Sequence, residues 1–193
     1  AGQEAILVGE HTPVDGAEAA TNAARVIGPS GKVIAEQPMP PFGKRTEFRF
    51  QAPETGFYTL EANAGKNAFA LVAANVPVAI DVTRQAALIY RGEGPLFVSV
   101  PAGTGIFALA AAGGWEGEAV KLTVTDPSGT VVWTKDNIIP IDGFTAMAGE
   151  GAAGGLWQMT VARPGAEGFK NLYVDVRGTP GYLFPSRERY WTF

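Results

Sequence analysis

The sequence predicts an all-β fold of two tandem antiparallel β-sandwiches, and three observations support this fold class. The 25 glycines and 14 prolines in 193 residues are spread along the chain, as expected of turns between many short strands. Helical periodicity is scarce, and motifs of the first half recur in the same order in the second half. Hydrophobic residues make up 46% of the chain, which permits a substantial core.

The clearest repeated motif is a strand, a PSG turn and a second strand. It occurs as "ARVIGPSGKVIAE" at residues 24–36 and as "LTVTDPSGTVVWT" at residues 122–134. Downstream, Gly56 before "FYTLEA" matches Gly155 before "LWQMTV", and "NAFALVA" then matches "NLYVDVR". Three matches in one order predict two copies of a single fold.

Glycine and proline interrupt the strand pattern at "RGEGP", residues 91–95, and this break predicts the boundary between the copies. The first β-sandwich is therefore assigned to residues 1–92 and the second to residues 93–193. The alanine-rich residues 15–24 are the best candidate for a helix, although their thin apolar face fits a loop equally well. The apolar run at residues 68–80 is too short for a membrane helix and is predicted to be a buried strand.

The segment "ETGFY" predicts a tyrosine corner, in which a tyrosine hydroxyl of an immunoglobulin-like sandwich bonds to backbone upstream. Gly56 would allow the tight turn, Tyr58 would lock it, and Leu60 would point inward on the following strand. Trp157 takes the tyrosine's place in the second copy, so its indole N–H needs another acceptor or solvent. Both copies are therefore predicted to be immunoglobulin-like or jelly-roll-like sandwiches.

Three segments follow one another in the second copy: "PLFVSVPAGTGIFALAAAGG", "AVKLTVTDPSGTVVW" and "GGLWQMTVARPG". Together they resemble the bacterial pre-peptidase C-terminal domain, and the likeness covers residues 94–177 and, in the first copy, residues 24–73. The resemblance implies a β-sandwich that accompanies secreted peptidases and polysaccharide-degrading enzymes as a non-catalytic module. It also implies that the protein is secreted or located at a bacterial cell surface.

The first copy has no counterpart of "PLFVSVPAG" before its opening segment "AILVGEHTP". Two interpretations of the C-terminal "ERYWTF" stay open: it fills this place in the first copy, or it begins a third, truncated copy. The chain starts at Ala1 without a signal segment and ends abruptly, which favours a processed chain or a piece of a longer one.

Composition argues against several classes of function. A net charge of −4 with 18% charged residues gives no basic face for nucleic acid and no polybasic membrane patch. Without cysteine there is no thiolate nucleophile, and a single histidine rules out multi-histidine zinc sites. His11 is predicted to lie in a surface loop, while Ser30 and Ser128 lie in PSG turns, where their hydroxyls cap backbone.

Two pairs of acids lie close enough in sequence to be considered for glycoside hydrolysis, which needs two facing carboxyls. Glu116 and Glu118 flank Gly117, and Asp136 and Asp142 flank the "NIIPI" loop. Acid pairs on loops are usually solvated, so the sequence predicts a non-catalytic protein without a cofactor.

A structural calcium ion is a further possibility, because loop aspartates and carbonyl oxygens are common calcium ligands. The sequence lacks a spaced DxDxDG loop. The candidate ligands are Asp126, Asp136, Asn137 and Asp142.

Two tryptophans suggest a carbohydrate-binding surface, because the CH groups of a sugar ring pack on flat aromatic faces. Trp115 follows two glycines in an apparent loop, and Trp133 stands where the first copy has Ala35. Hydrogen bonds to sugar hydroxyls would come from Glu116, Lys135, Asp136 and Asn137. Alternatively, Trp133 packs on the neighbouring sheet and Trp115 covers the junction between the copies.

The sequence thus predicts an accessory module that binds a polysaccharide and holds an attached catalytic domain of the same polypeptide near its substrate. The competing prediction is a structural spacer or protein-interaction module that binds no glycan. The two differ in one feature: a sugar binder presents at least two coplanar exposed aromatic rings, whereas a spacer buries its tryptophans.

Overall fold

The computed structural model describes residues 1–14, 16, 18, 23–147, 149, 154–166 and 168–190. Every regular element in these residues is a β-strand, and every ladder between strands is antiparallel. The predicted all-β class is therefore confirmed. The helix candidate at residues 15–24 lies largely outside the described residues, and its last two residues, Ala23 and Ala24, begin a strand.

The chain divides into two compact units, Ala1–Val76 and Pro77–Phe193, which are called unit 1 and unit 2. Unit 1 forms two three-stranded sheets with the orders β4-β1-β6 and β3-β2-β5. Its strands are β1 (Glu4–Thr12), β2 (Ala23–Ile27), β3 (Val33–Pro38), β4 (Arg45–Gln51), β5 (Thr59–Ala62) and β6 (Ala68–Ala74).

Alternating side chains of unit 1 fill the space between its two sheets. Leu7 and its cross-strand partner Phe48 are buried on one sheet, and Val26 is fully buried on the other. Phe50 of β4 meets Tyr58, which precedes β5, with 5.3 Å between ring centroids. The buried faces of the two sheets therefore face each other.

Unit 2 contains two four-stranded sheets, β13-β10-β15-β8 and β12-β11-β14-β9, and a two-stranded ribbon, β16-β7. Leu109 and Val174 from the first sheet share one hydrophobic core with Leu122 and Met159 from the second, as in a sandwich. The strands of unit 2 are β7 (Ile80–Asp81), β8 (Ala87–Tyr90), β9 (Gly94–Val100), β10 (Phe107–Gly113), β11 (Val120–Thr125), β12 (Val131–Ile138), β13 (Asp142–Ala146), β14 (Gly155–Ala162), β15 (Asn171–Arg177) and β16 (Tyr182–Leu183).

The internal repeat reappears as a repeat of strand order. Strands β1 to β6 pair in the same order as β10 to β15, and unit 2 adds β8 beside β15 and β9 beside β14. Strands β7 and β8 precede the sequence-predicted boundary at residue 92 yet pair with strands of unit 2. Residues 188–190 of the "ERYWTF" segment lie in no strand, and its last three residues are outside the described part of the chain.

The predicted tyrosine corner is present in unit 1. The Tyr58 hydroxyl donates to the carbonyl of Glu54 at 2.8 Å and accepts from the amide of Glu54 at 3.2 Å. In unit 2 the indole nitrogen of Trp157 is buried without an acceptor among the described residues. The corner is thus held by hydrogen bonds in unit 1 and by packing alone in unit 2, where Trp157 stacks on Phe144.

A glycine two residues before the corner residue, Tyr58 or Trp157, packs against the proline of the PSG turn in each unit. A Cβ on Gly56 would lie 2.6 Å from Cγ of Pro29, and a Cβ on Gly155 would lie 2.8 Å from Cγ of Pro127. Both glycines also have a positive φ, +148° and +125°. Close approach and backbone conformation therefore explain why glycine stands at this position in both copies.

Candidate functional site

Trp133 lies on β12 and faces the interior of unit 2. Its cross-strand partner Val124 is fully buried, and partners across a strand pair share one face of a sheet. Trp133 is partly buried and packs against the core. This position agrees with the predicted alternative in which Trp133 packs on the neighbouring sheet.

Trp115 lies in the connection between β10 and β11, and 60% of it is exposed. Its carbonyl accepts a 3.0 Å hydrogen bond from the amide of Glu118. Gly114 packs so closely that an added Cβ would lie 2.5 Å from Cβ of Asn171. Close backbone packing therefore fixes the loop that presents the indole, and Trp115 is the one tryptophan of the described residues with a largely open face.

Lys135, a predicted ligand-binding residue, forms an ion pair with Asp142. It lies opposite Leu122 and thus on the inward face of the edge strand β12, while Asp142 begins the edge strand β13 of the other sheet. The Lys135 ammonium is the main cause that lowers the pKa of Asp142, helped by a hydrogen bond from the amide of Gly143. The pair therefore bridges the two sheets along this side of unit 2.

Asp136 and Asn137 bind backbone of the same unit. The Asp136 carboxylate accepts from the amides of Asn137 at 2.8 Å and Gly165 at 3.1 Å. The Asn137 side-chain oxygen accepts from the amide of Ala166 at 3.2 Å. These side chains hold the connection between β14 and β15 against β12.

Asp126, the remaining calcium candidate, caps the PSG turn of unit 2. One carboxylate oxygen accepts from the Ser128 hydroxyl at 2.6 Å, from the Ser128 amide at 2.9 Å and from the Thr130 amide at 2.9 Å. The Ser128 hydroxyl is the main cause that lowers the pKa of Asp126. Within the described residues, no group of three or more His, Asp or Glu side chains is arranged to hold a metal ion.

The members of the two acid pairs have different surroundings. Glu116 is exposed, whereas Glu118 is buried, which corrects the expectation of a solvated pair. Glu118 accepts a 3.1 Å hydrogen bond from the side-chain amide of Asn171, and its other oxygen has no partner in the described part of the chain. Asp136 and Asp142 have the separate partners given above.

The prediction that His11 lies in a surface loop is wrong. His11 is fully buried on β1, in alternation with the buried residues Ala5 and Leu7. Its Nδ1–H donates to the carbonyl of Pro40 at 3.0 Å, and its ring lies 4.6 Å from that of Phe42. Apolar residues occupy both faces of "AILVGEH", so the alternation of the strand does not show which face is buried. Only Glu10, which points outward directly before His11, indicates that His11 lies on the inward face.

The sequence also missed an exposed apolar strand edge in unit 1. The run at residues 68–80 was predicted to be buried, yet β6 is an edge strand among the described residues, with Leu71 and Val72 exposed. The available signal was the missing counterpart of "PLFVSVPAG" in the first copy. That segment forms β9 in unit 2 and covers the strand next to it.

Comparisons of the chain with protein-family models, curated proteins and solved structures found no match. The resemblance to the pre-peptidase C-terminal domain thus stays a prediction. A search of the described residues for a helix of sufficient length and hydropathy to cross a membrane found none.

Proposed function

We propose that this chain is a non-catalytic module whose two β-sandwich units act as a spacer and protein-interaction surface within a larger secreted or cell-surface protein. One observation carries the proposal. Three of the four polar side chains predicted to bind a ligand bind the chain itself instead: Lys135 to Asp142, Asp136 to Gly165 and Asn137 to Ala166. A ligand would have to displace these contacts before it met those groups.

The burial of the tryptophans supports the same proposal. Trp157 is only 3% exposed, and Trp133 packs on the core. A flat sugar-binding platform needs neighbouring exposed rings, and these two indoles pack in or against the core instead of forming such a surface. The secreted location and the attachment to a catalytic domain rest on the family resemblance.

Glycan binding is the second candidate, and the exposure of Trp115 favours it. A single exposed indole with Glu116 beside it in the loop offers one stacking face and one hydrogen-bonding group. Such a site would bind one sugar ring at the end of a chain or on its surface. It would be weaker than a site with several aromatic rings.

Affinity electrophoresis against soluble polysaccharides and pull-down with insoluble ones test both candidates. The native chain is compared with Trp115→Ala, Trp133→Ala and the matched control Phe57→Ala, which removes an exposed aromatic ring from unit 1. We expect no retardation of any form, an unchanged melting temperature for Trp115→Ala and a lower one for Trp133→Ala. Retardation of the native chain that Trp115→Ala abolishes, with Phe57→Ala unaffected, would replace our proposal with glycan binding.

A further inference from the structure

The carboxylate of Glu118 in unit 2 is buried with only part of its hydrogen-bonding capacity used. Glu118 lies in the connection between β10 and β11 and is 9% exposed. Its Oε1 accepts a 3.1 Å hydrogen bond from the side-chain amide of Asn171, which is itself 9% exposed. Its Oε2 is buried and meets no donor in the part of the chain that the structure describes. The ion pairs between described residues also leave Glu118 without a positive partner.

A second buried acid of unit 2 shows how such a charge is compensated within the chain. Asp175 of β15 is 8% exposed. One of its oxygens accepts from Nε of Arg177 at 2.9 Å, and the other accepts from the amide of Val176 at 3.0 Å. Burial of an ionised carboxylate is unfavourable unless hydrogen bonds, an opposite charge or a metal ion compensate it. Glu118 has one hydrogen bond from a neutral amide, so most of its charge remains to be compensated.

Two loops cross at Glu118 and bring backbone oxygens together. Glu118 forms a parallel bridge with Gly168 of the connection between β14 and β15. The amide of Gly168 donates to the carbonyl of Gly117 at 3.1 Å, and the amide of Ala119 donates to the carbonyl of Gly168 at 2.9 Å. A carbonyl oxygen has two lone pairs, and each of these bonds uses one. The second lone pair of each oxygen is available to a cation.

Glycines beside the crossing allow two further carbonyls to approach closely. A Cβ on Gly113 would lie 1.9 Å from the carbonyl oxygen of Glu118. A Cβ on Gly114 would lie 3.0 Å from the carbonyl oxygen of Asn171, which accepts a 2.8 Å hydrogen bond from the Gly114 amide. Side chains at these positions would displace the carbonyls. The surroundings of Glu118 are therefore rich in oxygen atoms and contain one negative charge.

We infer that Glu118 anchors a structural calcium site at this crossing. Oε2 provides the charged ligand, and backbone carbonyls of residues 113–119 and 168–171 provide neutral ones. Calcium prefers oxygen ligands and accepts irregular geometry, whereas magnesium demands a near-octahedral site and zinc prefers nitrogen and sulfur. A site with one carboxylate is compatible with the finding that no three His, Asp or Glu side chains of the described residues form a metal-binding group.

The inference goes beyond the proposed function, because such a site would serve a spacer and a glycan binder alike. A bound ion would tie the β10–β11 connection to the start of β15. Trp115 and Glu118 are the first and fourth residues of one β-turn, closed by a 3.0 Å hydrogen bond from the Glu118 amide to the Trp115 carbonyl. The ion would thus hold the turn that presents the exposed indole. With one carboxylate, we expect a dissociation constant of about 0.1–1 mM.

Thermal unfolding of the full chain, stripped of metal with a chelator, tests the inference. Tryptophan fluorescence follows unit 2 through Trp133 and Trp157. Calcium chloride at about 10 mM should raise the melting temperature by roughly 5–10 °C. Magnesium chloride should raise it less, and sodium chloride of equal ionic strength is the control for screening.

Two variants of the same turn locate the ion. Glu118→Gln removes the charge and keeps an acceptor for Asn171, and it should abolish the calcium response. Glu116→Gln is the matched control, since it removes an exposed carboxylate two residues away and should leave the response intact. If Glu118→Gln fails to fold, Glu118→Asp replaces it and should raise the calcium concentration needed for half of the response.

Terbium luminescence gives a second readout, because a bound terbium ion emits when a nearby indole is excited. Terbium should bind the native chain with sensitised emission that calcium competes away. Trp115→Ala should lower this emission while the calcium-dependent rise in melting temperature persists.

Three results would overturn the inference. They are an unchanged melting temperature in calcium, a calcium response that persists in the folded Glu118 variant, or equal losses in the Glu116 and Glu118 variants. None of these results depends on polysaccharide retardation, so the inference and the proposed function fail separately.

Discussion

Replacement of Tyr58 by phenylalanine is expected to destabilise unit 1 by about 1–2 kcal/mol and to leave unit 2 unchanged. The hydroxyl makes a 2.8 Å hydrogen bond to the carbonyl of Glu54 and a 3.2 Å bond with its amide. Each net hydrogen bond contributes about 1 kcal/mol, and the longer bond less. The phenyl ring keeps its contact with Phe50, so the loss is confined to hydrogen bonding.

Hydrogen exchange and fluorescence together assign the effect to one unit. Trp115, Trp133 and Trp157 lie in the described part of unit 2, so tryptophan fluorescence during urea unfolding reports chiefly on unit 2. Amides of β2 and β5 report unit 1. In Tyr58→Phe these amides should exchange roughly 5–30 times faster than in the native chain, while the fluorescence midpoint stays where it was.

Tyr90→Phe in unit 2 is the matched control. The Tyr90 hydroxyl makes no hydrogen bond within the described part of the chain, and its ring, which faces the guanidinium of Arg91 at 5.0 Å, is retained. This variant should be within about 0.5 kcal/mol of the native chain. Equal effects of the two substitutions, or unchanged exchange in Tyr58→Phe, would show that the corner hydroxyl does not stabilise unit 1.

Three further predictions concern unit 2 and are each checked by urea unfolding or sedimentation. Gly155→Ala should lower the free energy of unfolding by about 2–4 kcal/mol, because it combines a positive φ with a collision against the turn proline. Gly129→Ala, which also has a positive φ but open space around its Cβ, should lower it by about 1 kcal/mol. Equal losses would refute the role of the collision. Lys135→Leu removes the inward charge from an edge strand and should raise self-association in sedimentation, and a monomer at every concentration would contradict this. Because the pKa of Asp126 is lowered in the folded chain, its carboxylate stabilises the fold at pH values above its ordinary pKa of 3.8. This contribution is lost as the pH falls through the lowered pKa. Ser128→Ala should therefore flatten the loss of stability between neutral and acidic pH, and an unchanged slope would contradict it.

The features that the sequence predicted correctly are local. The PSG hairpins and the tyrosine corner each depend on a few adjacent residues, and the β alternation around them has a period of two. In both PSG turns a carboxylate accepts from the serine hydroxyl and amide. In unit 2 the carboxylate belongs to Asp126, within the turn itself, so the sequence pattern reveals it.

The same turn in unit 1 uses a residue that no local pattern could identify. Gly28 stands where unit 2 has Asp126, and the carboxylate comes from Glu54, which accepts from the Ser30 amide at 3.1 Å and hydroxyl at 2.6 Å. The Ser30 hydroxyl is the main cause that lowers the pKa of Glu54. A Cβ on Gly28 would lie 3.2 Å from that carboxylate, so a side chain at position 28 would crowd Glu54.

The candidate site was harder to predict because it depends on which face each residue of β12 occupies. Two irregularities in the pairing of β11 with β12 shift the register, one of them between Val124 and Thr125. Simple alternation of side chains, counted along β12 from the PSG turn, therefore does not place Trp133 on the inward face. Nor does the sequence reveal that Lys135 and Asp136 bind partners in other strands and loops.

The two units offer an internal comparison that separates structural roles from functional ones. Where both units perform one task with different residues, such as the sheet bridge by Gln37 or Lys135, the task is needed by the fold. Where a feature occurs in one unit alone, the fold does not require it. Among the described residues, the exposed Trp115 of unit 2 is a feature of this second kind. Trp115 is therefore the first position at which to test for a functional role, and the first variant to make is Trp115→Ala.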